Sequence, residues 1–284
     1  MDHFFSPHTL QEALSIFQQT NAVPIAGGTD LLPRRKNLFP EIHALVDLTK
    51  IAELNYIREK RDYIEIGACT NFTHMLQSSL LNETTPALIQ ACSQIGSVQT
   101  RNRGTLGGNV ANASPAGDTL PPLLIHNAQI ALISAHSKRL IPLNEFLIGP
   151  GKTKRKPEEI IHHVRVEKLP EQMRSFFIRL GNRQGMAISI ASLALGLLPP
   201  SDADQTAQKA RLALGAVAPT PLRIPSTELL LTKEPLSEKT IQHAAQDAAA
   251  HCSPIADVRA SLLYRQNAVK NLVVRAFAEI KELV

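Results

Sequence analysis

The sequence predicts an α+β chain built as two successive domains. Three observations carry this. At roughly 150 residues per domain, the 284 residues make about 1.9 domains. Hydrophobic residues at 44% and charged residues at 19% sit near the globular norms of about 45–50% and about 25%, enough apolar material for real cores. Beyond Leu169-Pro170 mixed short elements give way to a run of strands and then a run of helices, the pattern of an α+β unit.

The elements follow in order. Thr9-Leu10-Gln11-Glu12 reads as a capping box, and Leu10, Ala13, Leu14 and Phe17 repeat at helical spacing. Val23 to Ala26 is a short strand running into Gly27-Gly28, and Ala44 to Leu48 is a second extended piece. Tyr63-Ile64-Glu65-Ile66 alternates as a half-buried strand does. Helices are expected from about Phe72 to Leu80 and Pro86 to Cys92. Arg101 to Asp118, rich in Gly and Asn, loses all periodicity and reads as a long loop, a kind of segment that usually serves function. A helix is expected from Pro115 to His126, with Ser114 as N-cap and Pro115 at the first position, where its missing amide costs nothing. Strands at Ala128 to Ile133 and Ile160 to Val166 complete a first domain of residues 1–169, divided near residue 58. In a second domain, 170–284, strands are expected at Arg174 to Leu180, Ala187 to Leu198 and Arg211 to Val217, then helices at Ser237 to His251 and Val258 to Leu283.

Charge and cysteine narrow the function classes. The net charge is +5, from 30 basic minus 25 acidic side chains. The basic runs Arg34-Arg35-Lys36 and Lys152-Thr153-Lys154-Arg155-Lys156 are short and read as solvated loops. Aromatics at 4% with no Trp leave few stacking platforms, so nucleic acid is not the expected partner. No stretch reaches the roughly 20 apolar residues of a membrane span, and the opening Met1-Asp2-His3-Phe4 lacks the features of a signal peptide, so a cytoplasmic location is expected. Cys69, Cys92 and Cys252 are too few and too scattered for a disulfide framework or a four-cysteine cluster. Any iron–sulfur chemistry belongs to another chain.

The strongest local signal is a pair of glycine turns, Ala26-Gly27-Gly28-Thr29-Asp30 and Thr105-Leu106-Gly107-Gly108-Asn109. Consecutive glycines let the backbone approach a ligand with no Cβ in the way, and successive amides form a nest for anionic oxygens. Neither turn matches a dinucleotide fingerprint or a P-loop. Two nests suit a pyrophosphate, and Asp118 reads either as an acceptor for sugar or ribityl hydroxyls or as an ordinary first-turn Asp favoured by the helix dipole. His162-His163 is a metal pair on paper, but neighbours on a strand point to opposite faces. No motif for nucleophilic or metal-assisted hydrolysis is present.

Ala26-Gly27-Gly28-Thr29-Asp30-Leu31, Ile66-Gly67-Ala68-Cys69-Thr70 and the eighteen residues from Arg101 to Asp118 resemble the FAD-binding medium subunits of molybdenum hydroxylases, the group of the xanthine dehydrogenase FAD subunit and the carbon monoxide dehydrogenase medium subunit. Lys156-Pro157-Glu158-Glu159-Ile160 and Asp257-Val258-Arg259-Ala260-Ser261 extend the resemblance over nearly the whole chain. It implies FAD held by a two-subdomain N-terminal domain, followed by a C-terminal sheet-plus-helices domain. Pro24, Ile25, Ala26, Gly27, Gly28, Thr29, Asp30 and Leu31 would wrap one side of the cofactor. Thr105, Leu106, Gly107, Gly108 and Asn109, with Ser114 and Asp118, would take the pyrophosphate and sugar. Ile95, Gly96, Ile160 and Ile161 match positions along the cofactor, and Arg179 stands where relatives often carry Lys. The implied partners are a molybdopterin-binding large subunit and a small subunit with two [2Fe-2S] clusters, with NAD or another acceptor. Three cysteines also speak against the 4-hydroxybenzoyl-CoA reductase branch, whose flavin subunit carries its own cluster. The alternatives are a self-sufficient FAD-dependent oxidoreductase and a cofactor-free interaction subunit.

Overall fold

A computed structural model describes residues 3–38, 42–183, 185–200 and 205–282. In chain order the elements are β1 (His3–Phe5), α1 (Leu10–Gln19), β2 (Val23–Ile25), α2 (Leu31–Leu38), β3 (Ala44–Asp47), β4 (Ile57–Glu59), β5 (Tyr63–Gly67), α3 (Phe72–Gln77), α4 (Ser79–Thr84), α5 (Pro86–Gln94), α6 (Val98–Arg103), α7 (Leu106–Asn112) and α8 (Leu120–Ile125). They continue with β6 (Gln129–Ile133), β7 (Lys138–Pro142), α9 (Leu143–Phe146), β8 (Leu147–Gly149), β9 (Lys152–Thr153), β10 (Ile160–Glu167), β11 (Arg174–Gly181), β12 (Ser189–Leu198), β13 (Lys209–Gly215), β14 (Leu222–Arg223), α10 (Pro225–Lys233), α11 (Glu238–Ala250) and α12 (Leu262–Glu282). The α+β class holds. No helix of the described residues is long and apolar enough to cross a membrane.

The chain forms two compact units. The first comprises residues 1–78, 96–113 and 127–167, the second 79–95, 114–126 and 168–284. The expected linear division therefore differs from the fold at two places: α4–α5 and the 114–126 segment belong with the C-terminal sheet. Tertiary hydrogen bonds explain why. Ala87 N–H donates to the Ser175 hydroxyl, Phe177 N–H to the Gln90 side chain, and Arg211 to the Ile125 carbonyl. Such pairings carry no local sequence pattern.

In the first unit β1, β3 and β2 form a parallel three-stranded sheet, and β4-β5-β10-β6-β7 an antiparallel five-stranded one. The expected capping box at Thr9 and Glu12 starts α1. Its Ala13 and Phe17 join Val46, Cys69, Ile133 and Ile160 in one core that links the two sheets. In the second unit β11-β12-β13-β14 form an antiparallel sheet. Along β12, Ala191, Leu193, Leu195 and Leu197 enter the core made with α11 and α12, while a Cβ on Gly196 would meet Met173 and Ile125 on the other side. Burial on both faces is why this strand reads as a nearly continuous apolar run, broken only by the small residues Ser192 and Gly196 after its first residue Ser189.

Three expectations need correction here. The 101–118 segment is not one loop: it holds α6 and α7, short helices fixed by caps and tertiary bonds rather than by periodicity. Ser114 does not cap a helix. Its hydroxyl accepts from the Ala116 N–H at 3.3 Å in a local turn, and α8 begins only at Leu120. The basic runs are not simply solvated loops either. Arg34 to Lys36 lies on α2, with the side chains of Arg35 and Lys36 outside the described residues. Arg155 in turn bonds the carbonyls of Lys156, Pro157 and Glu159.

Candidate functional site

The first glycine turn follows β2, whose Pro24 and Ile25 pair in parallel with Val46 and Asp47. The turn therefore leaves the carboxyl end of a parallel strand, where open sheets carry their ligands. Gly28 adopts φ +70°, a conformation costly for any residue with a Cβ, and the chain reverses into α2. The amides of Gly27, Gly28, Thr29, Asp30 and Leu31 make no hydrogen bond among the described residues, although the Gly28 and Asp30 carbonyls accept from Leu32 and Arg34. Thr29 and Asp30 are exposed and the other three half-buried. Consecutive unpaired N–H groups running into a helix start form a cradle for an anion.

The second turn touches the first. A Cβ on Gly27 would overlap the Arg103 carbonyl oxygen, 2.5 Å from its carbon and 3.0 Å from the Gly104 Cα. Glycine alone permits this approach. The two turns differ in what their amides do, which corrects the expectation of two nests. Thr105 caps α7, its hydroxyl accepting from the Gly108 N–H at 3.1 Å. Leu106 N–H donates to the Thr70 carbonyl, Gly107 to Ala68 and Asn109 to Thr105, each at 3.0 Å. These amides hold α7 against the end of β5 and are not open to a ligand. The second turn thus supplies a fixed wall, with Gly108 exposed on it, and the first supplies the donors. Arg34 bridges the two helices, its Nη1 reaching Asp30 at 3.0 Å and Asn112 at 3.2 Å.

In the second unit Asp118 is part of a buried ion pair. One carboxylate oxygen accepts from the Ser189 hydroxyl at 2.5 Å, the other from Arg179 Nη1 at 2.7 Å. Arg179 also donates from Nε to the Gln94 side chain (3.1 Å), from Nη2 to the Gln94 carbonyl (2.8 Å) and from Nη1 to the Ala187 carbonyl (3.0 Å). Burial pushes the Asp118 carboxyl up, against the pull of Ser189 and Arg179. Each of its oxygens keeps one further lone pair.

The structure therefore brings Pro24 to Leu31 against the Arg103–Asn109 segment, and joins Asp118 to Arg179 directly. Gly96 (φ +50°) and the buried, β10-borne Ile160 and Ile161 lie in the first unit; Ile95, closing α5, and Ser114 lie in the second. Gln94 and Ser189 escaped the sequence reading because their partners are remote in the chain, as is Asn112, the second partner of Arg34. The histidine pair is a further correction. A bulge between Ile161 and His163 breaks the alternation of β10, so both rings meet edge to face, with Nδ1 atoms 2.8 Å apart. Among the described residues no group of three potential metal ligands occurs.

Comparison with known proteins decides the family. Residues 1–169 match the FAD binding domain in molybdopterin dehydrogenase, and residues 176–280 the CO dehydrogenase flavoprotein C-terminal domain. The chain belongs to the FAD-binding subunits of the molybdenum hydroxylases. It is a flavoprotein oxidoreductase subunit, and its cofactor is FAD. Within this family it is 31% identical over 283 residues to the nicotinate dehydrogenase FAD-subunit of Eubacterium barkeri, covering 98% of this chain and 95% of that one. It is 30% identical over 274 residues to the xanthine dehydrogenase FAD-binding subunit of Escherichia coli O157:H7, covering 95% and 93%. A solved carbon monoxide dehydrogenase from Hydrogenophaga pseudoflava, lacking the Mo-pyranopterin moiety, superposes with a TM-score of 0.91 at 29% identity, covering 98% of this chain and 96% of its own.

Proposed function

We propose that this chain is the electron-transfer subunit of a heteromeric molybdenum hydroxylase, working beside a molybdopterin-binding large subunit and a small subunit with two [2Fe-2S] clusters. Bound FAD supplies the redox chemistry, collecting electrons from those clusters and passing them to NAD or another acceptor. The residues of this chain bind and orient it. The observation that carries this reading is the run of unpaired amides from Gly27 to Leu31, pressed against the Arg103–Gly104 backbone. It answers the need of a pyrophosphate, whose oxygens accept several hydrogen bonds and carry negative charge. Gly108, exposed on the second turn, and the half-buried Asn109 would flank it. Asp118, held by Arg179 and Ser189, keeps lone pairs for sugar or ribityl hydroxyls. Ile95, Gly96, Ile160 and Ile161 match positions that lie along the cofactor in the family. Cys69, Cys92 and Cys252 are fewer than one cluster needs, so the clusters belong to a partner.

The test has two arms. The purified chain is denatured and the released cofactor identified by mass; FAD is expected, and FMN or no flavin after incubation with excess FAD overturns the reading. Co-expression with the neighbouring subunits should then yield one complex holding all three chains. Turnover by this chain alone with a defined reductant and acceptor would instead favour a self-sufficient oxidoreductase.

A further inference from the structure

The first glycine turn carries an acid where an anion is to be held. Asp30 is the one charged residue in the run Gly27–Leu31, and its own amide belongs to the open cradle. An anion accepting from that amide at about 2.9 Å stands roughly 6 Å from the carboxylate, because only the Cα–Cβ–Cγ stem, with bonds of about 1.5 Å, separates the two groups. One negative charge at about 6 Å weakens the binding of another by a factor of about 3 in bulk water and about 100 at the effective dielectric near a protein surface.

Helix capping does not account for this acid. An Asp just before a helix ordinarily accepts from the second or third helical amide. Here the Leu32 N–H donates to the Gly28 carbonyl, and Pro33 has no N–H to give. The carboxylate turns to Arg34 instead, whose Nη1 stands 3.0 Å from Asp30 Oδ2. Among the described residues Arg34 is its only side-chain partner.

An exposed pair at this spacing adds little to stability, and these two side chains are 48% and 44% exposed. A solvated pair of that kind needs no third member, yet the same Nη1 also donates to Asn112 Oδ1 at 3.2 Å. Asn112 closes α7, the helix of the second turn. It fixes where the guanidinium stands, and the guanidinium fixes where the carboxylate stays.

We propose that Arg34 is a positioning residue for FAD: anchored on Asn112, it neutralises Asp30 and holds that carboxylate off the amides of its own turn. Released, the carboxylate becomes an internal anion that repels the pyrophosphate and competes for the same donors. The inference rests on the placement of the pyrophosphate in the first turn given under the proposed function.

The experiment is titration of the flavin-stripped full chain with FAD, followed by flavin fluorescence. At about 0.1 M salt, Arg34→Met is expected to weaken FAD about tenfold; at about 1 M salt, where screening acts within roughly 3 Å, the loss is expected to shrink below threefold. Adding Asp30→Asn to Arg34→Met is expected to return the affinity to within about twofold of the native chain, and Asp30→Asn alone to bind FAD at least as tightly as the native chain. A purely structural role for Arg34 would produce neither the rescue nor the salt response. Native affinity in Arg34→Met means that the pair is merely solvated and overturns the proposal. A loss that Asp30→Asn does not restore, a loss that salt does not shrink, or weaker FAD in Asp30→Asn alone overturns it equally. A native chain that takes up no FAD overturns the reading of the site together with it.

Discussion

Replacing Gly27 by alanine tests whether contact between the two turns builds the flavin site. The added methyl would stand 2.5 Å from the Arg103 carbonyl carbon and 3.0 Å from the Gly104 Cα, against about 3.5–4.0 Å for ordinary carbon contacts. About 1 Å of separation is needed. Neither side yields easily: Ile25 accepts from the Leu48 N–H at 2.9 Å, while Gly104 donates to Thr100 at 2.7 Å and accepts from Phe72 at 3.1 Å. Overpacking of this kind costs about 1–3 kcal/mol, which lowers Tm by about 2–12 °C for a domain of 150–250 residues. A cradle displaced by 1 Å also loses its geometry toward the pyrophosphate, since a hydrogen bond lengthened from about 2.9 to 3.9 Å is no longer one. FAD retained after gel filtration, read from flavin absorbance per chain, should fall at least tenfold, with unfolding still cooperative. Gly108→Ala is the control: its methyl meets only the Thr105 hydroxyl, at 2.9 Å, and Tm should stay near that of the native chain. Gly108→Asp adds a like charge where the proposed site sets the pyrophosphate and should release FAD with the fold intact. Full FAD content in Gly27→Ala, with unchanged Tm, would refute the contact as organiser of the site.

Arg179→Met leaves Asp118 buried with Ser189 as its remaining partner, and should cost about 3–5 kcal/mol in urea unfolding at pH 7. Asp118 already sits above its ordinary 3.8, so its stabilising contribution is present below that value and declines as pH rises through the folded one. Losing Arg179 raises it further, and the deficit should shrink on acidification; a pH-independent deficit contradicts the pairing. His163 runs the other way. Held at about 4 against 6.5 when unfolded, it contributes stability that is intact above 6.5 and is lost as pH falls toward 4; His163→Asn should flatten Tm against pH in that window. Burial pushes the Cys69 thiol to about 12 and Cys252 to about 11, and raises buried Cys92 as well. An aromatic disulfide reagent at pH 8 should therefore label the native chain only at its unfolding rate, and rapid labelling would contradict that burial.

What the sequence revealed and what it hid divide along a physical line. Local chemistry was readable: the Thr9–Glu12 capping box, the start of α11 near Ser237, and the alternation of β5 each rest on neighbours a few residues apart. The second-unit strands were readable because their apolar runs are long. α7 was not, because a seven-residue Gly- and Asn-rich helix has no propensity of its own; it exists through the Thr105 cap and the carbonyls of Ala68 and Thr70. The glycine turns stood out at once, but which of them keeps open amides depends on partners tens of residues away. Likewise Asp118 read equally as a sugar acceptor and as a helix-start residue, and its pairing with Arg179 and Ser189, 61 and 71 residues distant, was not legible.

The asymmetry of the two turns has an energetic logic. Amides of Leu106, Gly107 and Gly108 are satisfied within the protein, so this wall is formed before any cofactor arrives and adds nothing to the entropy lost on binding. The Gly27–Leu31 amides stay open, and the free chain forgoes their bonds until an anion fills the cradle. Binding that favours the folded chain stabilises it by about 2.7 kcal/mol at a hundredfold excess over Kd, and that gain should be concentrated where the amides were open. Hydrogen exchange on adding FAD should thus slow most at residues 27–31 and little at 106–109, whose amides are already bonded. Equal protection of both turns would mean that the second opens in the free chain and closes only around the cofactor, contrary to the bonding described above.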